Sequence, residues 1–208
     1  MDLKTRNLSV LFSIFCVSVV MTNMVSGKLI SFGPFIFVAG TLLYPLTFLL
    51  TDTISEVYGK REANTAVLTG FFCQIIAVVA LYLLGFCEAL DPSVDQAWST
   101  IFSPVGRITV ASMLAYLASQ LVDVRLFHFI RAKTGTKHLW LRNNVSTAVS
   151  QLFDTLIFVF IAFAGTMPLE SLAAMAAGQY MVKFLLALID TPVCYASVWL
   201  LRGRQESQ

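Results

Sequence analysis

The sequence predicts an all-α, polytopic membrane protein: six transmembrane helices, N and C termini cytoplasmic, and a short hairpin between helices 1 and 2. Three observations carry that expectation. The 208-residue chain is 57% hydrophobic and only 12% charged, about half the charged share of a soluble domain. Its apolar residues gather into stretches of about 20, enough to cross a hydrocarbon core of roughly 30 Å. Its Lys and Arg fall in alternate loops.

The expected spans are 8–27, 39–58, 65–86, 107–130, 144–165 and 174–201, forming a single transmembrane domain over 1–208. The first run lacks a small-x-small cleavage site and leads into further spans, so it reads as a helix rather than a cleaved leader. Between spans one and two, "KLISFGPFIFVAG" (28–40) places Gly33-Pro34 between short alternating apolar pieces. That pattern is a re-entrant or surface hairpin. Helix 2 then starts near Gly40, and Pro45 is expected to kink it. The outer segment 87–103 carries Glu88, Asp91 and Asp95 and reads as a loop. With both termini inside, the cytoplasmic segments hold Lys4, Arg6, Lys60, Arg61, Arg131, Lys133, Lys137, Arg142, Arg202 and Arg204. Only Lys28 and Arg107 fall on the other side, at span ends. That asymmetry sets the orientation.

The informative residues are polar ones inside the apolar runs. "SQLVDVRLF" (119–127) is nearly repeated by "SQLFDTLIF" (150–158). The i, i+3 spacing puts Gln120 with Asp123, and Gln151 with Asp154, each on one helix face. At a rise of about 1.5 Å per residue, both Gln lie roughly 10 Å deep from the cytoplasmic ends, Asp123 roughly 6 Å and Asp154 roughly 15 Å. Lys183 on the sixth span falls near the level of Asp154. Asp190 follows two turns below it, just before the break at Thr191-Pro192. Span two carries Asp52 and Glu56 at i, i+4. An ionisable group inside the bilayer costs several kcal/mol unless paired or hydrated, so these residues together imply a polar cavity. Structural readings stand beside this one: Asp52 and Glu56 at the interface, Asp154 and Lys183 as an ion pair joining two helices, and the two Gln as interhelical glue.

Several classes of function are excluded or disfavoured. A net charge of +2 does not point to nucleic acid. There is no H-E-x-x-H; His128 and His138 stand without companions, so no metal is expected. No G-x-S-x-G holds a nucleophile, and no cofactor motif is present. Cys16, Cys73, Cys87 and Cys194 show no paired spacing and read as reduced core or lipid-facing residues. A repeated pore loop is missing too. A carrier for a small polar solute fits better than an enzyme. Carboxylate and amide groups suit a fork of N–H donors beside a carbonyl. Tyr116, Phe153, Phe158 and Tyr195 are placed to stack on a flat ring.

Four long stretches then resemble the queuosine precursor transporters, in order along most of the chain: "YPLTFLLTDTISEVYGK" (44–60), "GRITVASMLAYLASQLVDVRLFHFIR" (106–131), "WLRNNVSTAVSQLFDTLIFVFIAFAG" (140–165) and "KFLLALIDTPVCY" (183–195). The resemblance implies a six-span protein of the bacterial or archaeal inner membrane that imports 7-cyano-7-deazaguanine and 7-aminomethyl-7-deazaguanine for tRNA modification. The matched polar positions are Asn23, Lys28, Asp52, Glu56, Arg107, Gln120, Asp123, Asn144, Gln151, Asp154, Lys183 and Asp190. On this basis Asp154 or Asp123 is expected to take the guanine-like N–H fork, with Gln120 and Gln151 completing the ring edge. Lys183 would offset the charge. Two alternatives belong to the same reading: a substrate-capture subunit of an ATP-driven vitamin-type importer, and a carrier for another purine-like solute. A scaffold with a structural polar core and an ion or proton channel are alternatives from other classes. Ala173, Ala174, Ala176, Ala177 and Gly178 are small enough to pack against a second copy, so a homodimer is one expectation.

Overall fold

The computed structural model describes residues 3–33, 35–134 and 139–186. The side chains of Glu56, Gln120, Asp123 and Asn144 lie outside the described ones, and Asp190 and Tyr195 lie outside the described residues altogether. The chain is mostly helical. In order it forms α1 (Leu3–Val25), β1 (Leu29–Phe32), β2 (Phe35–Val38), a 3-10 turn (Ala39–Leu42), α2 (Tyr44–Tyr58), α3 (Lys60–Leu84), α4 (Pro92–Thr134) and α5 (Leu139–Phe163). A last helix, α6, occupies 169–186. Among the described residues, three stretches are long and apolar enough to cross a membrane: Lys4–Val25, Lys60–Leu84 and Pro92–Ser119; Ala148–Phe163 is a shorter apolar helix.

The hairpin stands where Gly33-Pro34 put it. Gly33 takes φ 58°, a left-handed conformation that costs glycine nothing, and Ala39 N–H donates to Lys28 O at 2.8 Å to close the base. Among the described residues, β1 and β2 form a two-stranded sheet in an otherwise mostly helical chain. Pro45 does not kink α2, because it lies in that helix's first turn. There its missing N–H has no intrahelical acceptor to lose. The hairpin and 3-10 turn delay the helix, leaving α2 with 15 residues, roughly 22 Å.

The segment 87–103 is also not a loop. Pro92 starts a 43-residue helix, and only Gly85–Asp91 connects it to α3. Asp91 caps α4 by accepting Ser93 N–H at 2.9 Å, a bond that holds its carboxyl below the ordinary range. The Asp95 carboxylate accepts Ala89 N–H. Asp91 and Pro92 are the usual N-cap and N1 signals of a helix start.

The described chain divides into two compact units. One holds the described residues up to Ile30 and Val38–Gly106, with the end of α6 from Leu185. Its core is Phe15, Leu50, Ile54, Ala63 and Ala66, contributed by α1, α2 and α3. Gly70 of α3 lets Phe15 and Val19 of α1 approach closely, and Gly40 sits against Ser26 and Thr22. The other unit holds Ser31–Phe37 and Arg107–Phe184. Its buried residues recur at helical spacing: Ile108, Ala111 and Ala115 on α4, Thr155, Phe158, Val159 and Ala162 on α5, and Leu172, Met175 and Ala176 on α6. Such stripes on consecutive helices form one core.

In this second unit β2 rests its backbone on α6. A Cβ at Gly178 would lie 2.8 Å from Ile36 O and 3.1 Å from Ile36 N. Gly178 and Ala176 are thus occupied within the chain, whereas Ala173, Ala174 and Ala177 are exposed. The expected small-residue patch for a second copy loses two of its members to internal packing.

Gly178→Ala should therefore lower the melting temperature in detergent by the equivalent of about 1–3 kcal/mol, since backbone cannot be moved aside like a rotamer. Gly106→Ala is the control: its Cβ would meet only Val78 Cγ1 at 3.8 Å, and Ala favours the helix. Equal melting of the two variants would contradict this packing.

Candidate functional site

The site is built on the turn that pairs α5 with α6. Gly165 adopts φ 81°, the left-handed residue that ends many helices. Thr166 donates to Phe163 O through both its N–H and its hydroxyl, and Pro168 precedes the next helix. The last carbonyls of α5 need donors. Arg107 of α4 supplies them, with Nε to Ile161 O at 2.7 Å and a terminal guanidinium nitrogen to Ala164 O at 2.6 Å. A cation at a helix C-terminus is also favoured by the helix dipole. Arg107 was singled out in the sequence without a role; here it fixes the end of the helix that carries Asp154.

Pairing α5 with α6 brings Lys183 and Asp154 together. Nζ lies 2.7 Å from Oδ2, with the two side chains 4% and 10% exposed. A second tie runs from Tyr180 OH to Ala148 O at 3.2 Å. Gln151 lies between these two anchor points on α5, one turn before Asp154. Its Oε1 is buried and has no hydrogen-bond partner among the described residues. Gln179, one turn before Lys183 on α6, is 1% exposed, and its Oε1 also lacks a partner among the described residues. Thr155 is fully buried and donates its hydroxyl back to Gln151 O at 2.9 Å. An ion pair and two amide oxygens that need donors therefore line one pair of helices. Buried polar atoms without partners are uncommon, and a ligand is one physical reason for them.

Of the expected site residues, Gln151, Asp154 and Lys183 meet in this unit. Tyr116 is half-buried on α4 of the same unit. Gln120 and Asp123 belong to α4 and Glu56 to α2, their side chains not described. Asp52 is exposed on α2, and Asn23 is buried on α1, where its amide donates to Val19 O at 3.2 Å. Both belong to the first unit, where the Thr22, Thr41 and Thr53 hydroxyls are also buried without partners. Phe153 is 44% exposed, while Phe158 is buried and packs edge-on against Phe163. Gln179 was missed by the sequence reading. Its signal was present as an i, i+4 spacing to Lys183 in the apolar run "AAGQYMVKFLL". Among the described residues, no group of three His, Cys, Asp or Glu side chains is placed to hold a metal.

Removing one partner of a buried pair leaves the other charge uncompensated, which costs about 3–5 kcal/mol. Lys183→Met should melt far below the parent protein in detergent. A melting temperature within a degree or two of the parent would mean that the pair does not hold α5 to α6.

A family described as "Putative vitamin uptake transporter" matches residues 38–197. A "Probable queuosine precursor transporter" from Bacillus subtilis (strain 168) is 35% identical over 170 residues, covering 81% of this chain and 74% of that protein. A "Probable queuosine precursor transporter" from Haemophilus influenzae (strain ATCC 51907 / DSM 11121 / KW20 / Rd) is 29% identical over 153 residues, 72% of this chain and 63% of that one. The "Queuosine precursor transporter" of Escherichia coli (strain K12) is 28% identical over 124 residues, 60% and 54% of the two chains. No solved structure matches. With the matched region spanning α2 to α5 and the helix that bears Lys183, the chain belongs to the queuosine precursor transporter family.

Proposed function

We propose that this chain is a carrier that brings queuosine precursors, 7-deazaguanine bases, across the cytoplasmic membrane. In this reading it has six spans with both termini in the cytoplasm. The observation that carries the proposal is the buried Lys183–Asp154 pair beside the unpartnered oxygen of Gln151. Names of the relatives supply the solute class, and the ten-to-two distribution of Lys and Arg supplies the orientation.

The chemistry follows from the groups present. A guanine-type ring edge offers adjacent N–H donors beside a carbonyl. Gln151 Oε1 and the Asp154 carboxylate accept such donors. Lys183 balances the carboxylate, so the neutral cyano base enters a site with no net charge and no unpaired ion is created in the apolar interior. Donors on the solute bond an oxygen that has no partner among the described residues. That bond favours binding, because leaving a buried acceptor unmet costs about 1–3 kcal/mol. Nothing in this scheme breaks a covalent bond in the solute.

Purified protein in liposomes should take up radiolabelled 7-cyano-7-deazaguanine saturably, with competition by the aminomethyl form. Gln151→Ala should fold normally and lose roughly tenfold in uptake efficiency, the value of one hydrogen bond. Folded parent protein that moves no base alone would instead indicate a capture subunit needing an ATP-driven partner. Undiminished uptake by Gln151→Ala would remove Gln151 from the site.

A further inference from the structure

We infer that Gln179 is a specificity-determining residue of this site, reading the exocyclic 2-amino group that distinguishes a guanine-type ring from a hypoxanthine-type one. The inference rests on the transport reading above and extends it to a residue that neither the motifs nor the relatives' names single out. Gln179 is as buried as a core residue at 1% exposed, yet its Oε1 has no partner. It shares a helix face with Lys183 and adjoins Tyr180, which ties α6 to α5. Gln151, the other unpartnered amide, lies between the same two ties on the facing helix.

The oxygens Gln151 Oε1 and Gln179 Oε1 are acceptors only. A solute that satisfies both must bring two N–H groups. The guanine-type edge does so through its ring N1–H and its 2-amino group. A hypoxanthine-type edge carries N1–H alone, with C2–H in the second place, and leaves one buried oxygen unmet. An adenine-type edge offers its amino group but presents N1 as an acceptor, which repels an amide oxygen. Sites built to hydrogen-bond a substrate donor discriminate strongly against the analogue lacking it. One unmet buried acceptor corresponds to roughly ten- to hundredfold in affinity.

A structural role for Gln179 predicts something different. Because its oxygen makes no bond among the described residues, Gln179→Leu removes no hydrogen bond at that atom and should melt at or above the parent temperature. Selectivity is the property it should change.

The test is ligand protection against thermal unfolding in detergent, using 7-cyano-7-deazaguanine and the same ring without its 2-amino group. The parent protein should bind the first roughly ten- to hundredfold more tightly. In Gln179→Leu that ratio should fall severalfold or more, through weaker binding of the amino-bearing base, the remainder being held by the Asp154 carboxylate. Equal discrimination by parent and variant, or none by the parent, overturns the role of Gln179 while leaving the transport reading intact. Protection of the parent by neither base overturns both.

Discussion

The ion pair between Lys183 and Asp154 is the constraint on which the described site depends. Two opposite charges at 2.7 Å, both nearly closed to solvent, are tolerable in an apolar interior only as a pair. Their meeting requires α5 and α6 to run back alongside each other in one register. Three local devices provide for this. Gly165 supplies the left-handed turn residue, Arg107 holds the carbonyls at the end of α5, and Gly178 lets the hairpin backbone rest on α6. The cost of the pair is thus built into the packing of its whole unit.

Two buried amide oxygens without partners among the described residues accompany the pair. Gln151 and Gln179 each lie about one turn from a charged partner, on the buried stripes of their helices. A core built only for stability would fill these places with Leu or Met, which bring no acceptor to satisfy. Retaining two amides that make no bond through their oxygens is a standing cost in the empty protein. A solute rich in N–H donors would remove that cost.

Much of this was legible in the sequence, for physical reasons. Asp154 and Lys183 could be assigned similar levels because helical rise is constant and the intervening segment is short. The hairpin was legible because glycine and proline punctuate alternating apolar pieces. Helix starts were harder. Pro45 reads as a kink only if α2 is assumed to begin at Gly40; the 3-10 turn moves the start and turns the same proline into an initiator. Asp91-Pro92 was a helix start hidden in a segment whose acidic residues suggested a loop. Gln179 escaped because a lone amide in an alanine-rich run carries no repeat. Gly178 looked like a surface for a second copy, since small size alone does not say which backbone approaches. Asp52, exposed on α2, shows that a carboxylate in an apolar run need not be buried. The near-repeat drew attention to Gln120 and Gln151 equally, but only Gln151 has a described side chain.

The central claim is that the pair serves the solute and is more than a brace between helices. The direct test replaces both charges together, Asp154→Leu with Lys183→Met, and measures thermal melting and binding of 7-cyano-7-deazaguanine on the same purified protein. Exchanging both members of a buried pair for apolar residues of similar size is often neutral or stabilising, by about 1–4 kcal/mol. The account predicts melting close to the parent protein with binding reduced at least tenfold, because the carboxylate acceptor is gone. A double variant that folds and binds the base as the parent does would contradict it, leaving the pair as a brace alone.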